Sequence, residues 1–78
     1  MSKDSNTAHL VRELRSRLGL TQEKFATRLG VTFPTINRWE NGRAKPSPLA
    51  LKRIEDLLVD LGAEGLDLHA KYFAKEGI

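Results

Sequence analysis

Between Leu20 and Gly42 the chain uses one local pattern twice in immediate succession: an apolar residue, a threonine, a short run with apolar helical spacing, and a glycine. Leu20 and Thr21 open the first round, which carries Phe25, Ala26 and Leu29 and closes on Gly30; Val31 and Thr32 open the second, which carries Ile36 and closes on Asn41-Gly42. A threonine so placed caps a helix by accepting a hydrogen bond from an unpaired N–H of the first turn. The apolar residue ahead of it can staple to the one four positions past the cap, Leu20 to Phe25 and Val31 to Ile36. Lys24 stands at the third position of the first round, so the reciprocal half of a capping box is missing. Glycine then stops each helix, and Pro34 is tolerated because it falls in a first turn. Two short helices with so little chain between them must cross steeply, and the second, from near Thr32 to near Glu40, stands out as a ridge.

The flanks supply the remaining helices. Leu10, Val11, Leu14 and Leu18 recur three and four apart, which predicts an amphipathic helix from Thr7 to Leu18. Ser47 caps another, with Pro48 at its first position and Ala50, Leu51, Ile54, Leu58 and Leu61 along its buried stripe. Residues 1–6 lack periodicity and are expected to form a flexible N-terminal tail, leaving a helix-turn-helix domain over 7–61. Residues 62–78 form a C-terminal extension in which Leu66, Ala70 and Phe73 mark a short helix or a dimer contact. The expected fold is all-α, a compact bundle of four to five helices. With 78 residues, one domain is what the chain can build.

No apolar run reaches the length of a membrane span or a signal-peptide core, so the expectation is a cytoplasmic protein that does not engage a membrane. With no cysteine and with His9 and His69 near opposite ends, neither a metal site nor a catalytic constellation is expected, and no cofactor. Charge is distributed unevenly. From Arg15 to Arg53 nine basic residues face two acidic ones, whereas the flanks carry four basic and eight acidic residues. A basic centre between acidic flanks is the footprint of a surface that meets phosphates, and equally of a solvated helical surface with uneven charge.

The strings Leu-Gly-Leu-Thr-Gln-Glu at 18 to 23, Arg-Leu-Gly-Val-Thr at 28 to 32 and Arg-Trp-Glu-Asn-Gly-Arg at 38 to 43 together resemble the Cro and phage-repressor type of helix-turn-helix, the xenobiotic-response-element family. The resemblance covers roughly Val11 to Leu61 and implies a lambda-repressor-like fold that reads the major groove of double-stranded DNA with the helix at 32–40. It implies phosphate contacts at Gln22, which would also brace the reading helix, and at Asn41, Gly42 and Arg43. It also implies a structural ion pair between Arg15 and Glu40, in which loss of Glu40 is expected to cost the fold more than loss of Arg15. With Ile36 and Glu40 turned inward, Thr32, Phe33, Pro34, Asn37 and Arg38 are left for bases. A guanidinium at Arg38 can bond guanine O6 and N7 together, with a phosphate contact as the alternative. Phe33 suits a thymine methyl group or packing on a neighbouring helix. Trp39 reads as core or interface filler against the helix that starts at Ser47.

Three functions share such a module: a transcriptional regulator such as a repressor acting as a homodimer on DNA, the antitoxin of a toxin–antitoxin pair with a toxin protein as partner, and a protein-interaction module that leaves DNA alone. An enzyme is not expected.

Overall fold

The computed structural model describes residues 3–73, with side chains from residue 7 onward. Helices α1 (Lys3–Leu18), α2 (Gln22–Leu29), α3 (Phe33–Glu40) and α4 (Pro48–Asp60) are followed by a 3-10 turn (Gly62–Gly65) and α5 (Leu66–Phe73), with no strand among the described residues. The all-α bundle expected from the sequence is therefore present, with five helices.

The caps lie where the side-chain chemistry puts them. Thr21, Thr32 and Ser47 hold extended backbone and accept bonds from the N–H groups of Lys24, Thr35 and Ala50. At Gly30 the chain enters the left-handed region, with φ +76°, which lets the Gly30 and Val31 N–H groups turn back to the Thr27 and Ala26 carbonyls. A side chain there would strain the backbone and also crowd the Arg53 guanidinium, whose Nη1 donates to the Leu29 carbonyl at 3.0 Å.

Leu10, Val11 and Leu14 of α1, Phe25 and Leu29 of α2, Ile36 of α3, and Ile54 and Leu58 of α4 are fully buried and form one core, joined by Trp39 and Leu68. Each such side chain contributes about 1.5–3 kcal/mol by leaving water, so these few residues dominate the stability of so small a domain. Trp39 is core filler, as expected.

One boundary differs from the sequence reading. Helix α1 begins at Lys3, inside the stretch read as a tail, because periodicity reports only where an apolar face begins and a polar turn ahead of it leaves no such mark. Met1 and Ser2 lie outside the described residues, as do residues 74–78 of the C-terminal extension. Helix α5 has the predicted span and packs against the rest of the domain. Leu68 is its buried residue and Phe73 is half-buried against the core, while Leu66 is 66% exposed and Ala70 is also outside. Gly65 lies against the Leu58 carbonyl so closely that a Cβ would collide with it. That approach folds α5 back onto α4 and α1, where Arg17 clasps Asp67 with Nη1–Oδ1 at 2.6 Å and Nη2–Oδ2 at 3.0 Å.

Candidate nucleic-acid interface

Helix α3 has two faces with different work. Ile36, Trp39 and Glu40 point into the protein, and Thr32, Phe33, Pro34 and Arg38 point out. Phe33 is 44% exposed, so it neither packs fully on a neighbour nor stands free. The Thr32 hydroxyl caps Thr35 and shares a 2.9 Å bond with its hydroxyl. Arg38 is exposed over the last turn.

The inward face is organised by one buried carboxylate. Glu40 is only 4% exposed and receives Arg15 Nε at 2.6 Å and Nη2 at 3.1 Å, with Gln22 Nε2 donating at 2.8 Å. The ion pair expected from the resemblance is thus in place, and the carboxylate holds the Arg15 guanidinium above its ordinary range. Gln22 passes the order outward, since its Oε1 accepts from Asn37 Nδ2 at 3.4 Å while Asn41 Nδ2 donates to Asn37 Oδ1 at 3.0 Å. A continuous polar chain therefore runs from Arg15 in α1 through Glu40, Gln22 and Asn37 to Asn41. It fixes the angle and roll of α3 relative to α1 and α2.

Beyond α3 the turn Asn41-Gly42-Arg43 closes the helix. Its N–H groups return to the carbonyls of Asn37, Trp39 and Arg38 at 3.0, 3.1 and 2.9 Å. What this turn offers to a ligand is consequently side-chain chemistry, from Asn41 and the exposed Arg43.

The structure also redistributes the basic centre read from the sequence. Arg15 and Arg53 are engaged on Glu40 and the Leu29 carbonyl, Arg17 on Asp67 and Glu13, and Lys52 lies 3.7 Å from Asp56. Lys24, Arg28, Arg38 and Arg43 stay exposed without a partner among the described residues. Sequence reasoning missed the arginines that reach backbone: Arg53 of α4, which donates to the Leu29 carbonyl at the end of α2, and Arg12, whose Nη1 donates to the Glu40 carbonyl at 2.7 Å. The available clue was that Arg12 precedes Arg15 by one helical turn and shares its face. Among the described residues no helix is long and apolar enough to cross a membrane, and no group of side chains could hold a metal ion.

The profile of the helix-turn-helix family matches residues 11–58. An HTH-type transcriptional regulator of Methanothermobacter thermautotrophicus is 53% identical over 45 residues, which cover 58% of this chain and 65% of that protein. An HTH-type transcriptional regulator of Archaeoglobus fulgidus is 42% identical over 57 residues, covering 63% of this chain and 81% of that protein. Similarity extends to the type II methyltransferase M.SsoII of Shigella sonnei, 43% identical over 54 residues, but these are 65% of this chain and 14% of the methyltransferase. The matched stretch thus spans less than two thirds of the first of these relatives and a small part of the last. No solved structure matches at a significant level.

Proposed function

The chain belongs to the helix-turn-helix family of the Cro and phage-repressor type, and from that premise we propose that it is a sequence-specific DNA-binding transcriptional regulator that lays α3 in the major groove. The observation that carries this reading is the division of labour in α3: its buried face, the Thr32 cap and the Glu40 network hold it, while Phe33, Pro34 and Arg38 on the outward face make no side-chain hydrogen bond to the rest of the domain among the described residues. In the proposed complex Arg38 bonds a guanine edge, Phe33 meets a thymine methyl group, and Thr32, Pro34 and Asn37 complete the reading surface. Arg43 and Asn41 meet phosphates through their side chains. Gln22 keeps α3 in register and lies beside the backbone on the opposite flank.

The relatives described as HTH-type transcriptional regulators support regulation rather than catalysis, since the methyltransferase likeness is confined to a small fraction of that enzyme. We take the working unit to be a cytoplasmic two-fold dimer, a repressor, on half-sites about 34–36 Å apart, because one module this small discriminates poorly alone.

Selection of bound sequences from a random duplex pool tests the whole reading. A two-fold symmetric consensus, with affinity for unrelated DNA that falls steeply with salt, is the expected result. No enrichment and no salt-dependent binding would instead fit a protein-interaction module and overturn the proposal.

A further inference from the structure

Between α1 and the end of α3 lies a cleft of about 280 Å³ lined by Ala8, Arg12, Glu40, Asn41 and Gly42. Arg12 is the basic residue of this cleft. It is exposed, and one N–H of its guanidinium is given to the Glu40 carbonyl at 2.7 Å. A guanidinium has five N–H donors in a planar fork, and that fork matches the oxygens of a phosphate.

Electrostatics explains why a cation is needed there. A helix C-terminus carries partial negative charge, and α3 ends on a carboxylate as well. Both would repel a phosphate. Arg15 answers the Glu40 carboxylate and Arg12 answers the carbonyl, two arginines one turn apart on the same helix. The N–H groups of Asn41, Gly42 and Arg43 are already committed to the helix, so a phosphate arriving at this corner must be met by side chains.

We propose that this cleft is a phosphate seat for the DNA backbone, with Arg12 as its binding cation and the Asn41 side-chain amide as its neighbour. The proposal rests on the DNA-binding reading above. It makes Arg12 a residue that sets affinity without setting sequence preference.

Two variants separate binding from capping. Arg12→Gln keeps an N–H for the Glu40 carbonyl and removes the charge; Arg12→Lys keeps the charge. Binding of each to the selected duplex and to an unrelated duplex is measured from 50 to 200 mM NaCl, with thermal unfolding of the free proteins alongside. Losing one phosphate contact lowers the slope of log affinity against log salt by about 0.9, so the advantage of the parent chain over Arg12→Gln should shrink about 3.5-fold across that range, equally on both duplexes. Arg12→Lys should retain the parent slope. If Arg12→Gln binds more weakly with an unchanged slope, or changes base preference, Arg12 only caps α3 and the seat is refuted. If the parent chain itself binds neither duplex, the failure lies in the DNA-binding reading, and the seat falls with it.

Discussion

Arg15→Ala is expected to destabilise the fold more than Glu40→Ala, the reverse of the order expected from the sequence. Removing Arg15 strands a carboxylate that is 4% exposed with Gln22 Nε2, at 2.8 Å, as its remaining side-chain donor. Breaking a buried pair from that side costs about 3–5 kcal/mol, and the lower end applies because water reaches part of Arg15. Removing Glu40 instead leaves a guanidinium that is 26% exposed and keeps its 3.0 Å bond to the Leu20 carbonyl. Gln22 keeps Asn37, and Arg12 keeps the residue-40 carbonyl, because that acceptor is backbone. The cost is then about 2 kcal/mol, the net worth of a hydrogen bond to a charged group. A domain of this size has roughly 4–12 kcal/mol in all, so the difference is readily measured. Urea unfolding of both single variants and the double, followed by far-UV circular dichroism, closes a double-mutant cycle with expected coupling of about 1–3 kcal/mol. An equal or larger loss for Glu40→Ala would show that the buried charge is not the costly partner. Additivity within about 0.5 kcal/mol would show that the pair is not coupled at all.

Arg38→Ala should relax preference at one base pair by about 1–3 kcal/mol in a competition assay over single-site operator variants; uniform weakening of all variants would make Arg38 a phosphate ligand. The Arg17 clasp depresses the Asp67 carboxyl, so its stabilisation is complete above the ordinary value of 3.8 and is lost as pH falls through the lower folded value. Hydrogen exchange of α5 against pH should therefore lose that acid-side step in Asp67→Asn, and superimposable profiles would contradict the clasp. Truncation after Leu61 removes the buried Leu68, worth about 1.5–3 kcal/mol, and should lower Tm by roughly 6–24 °C. An unchanged Tm would mean that α5 is not part of the cooperative fold.

What the sequence discloses is local chemistry, and what it conceals is reach. Thr21, Thr32 and Ser47 act within four residues of themselves, so their caps and the turn at Gly30 were legible, and with them the span of α3. Arg15 and Glu40 were legible only through a resemblance, because nothing in their spacing of 25 residues pairs them. The docking of α5 on its own domain was not legible for a related reason. Leu66, Ala70 and Phe73 mark a helix, yet what brings that helix back onto the domain is the close approach of Gly65 to the Leu58 carbonyl. For the arginines that end on carbonyls, Arg12 and Arg53, pattern reading gives at most a shared face, as for Arg12 beside Arg15, and never the partner, because a backbone acceptor carries no residue identity.

The two-faced build of α3 also bears on how such a protein can change its target. Phe33, Pro34 and Arg38 carry no side-chain hydrogen bond to the rest of the domain among the described residues, so these positions can be rewritten one at a time with little disturbance to folding. Asn37 is different. It is tied to Gln22 on one side and Asn41 on the other, and replacing it loosens the brace of the reading helix together with its outer turn. New specificities should therefore arise first by exchange at 33, 34 and 38, with position 37 following only when its two partners change with it.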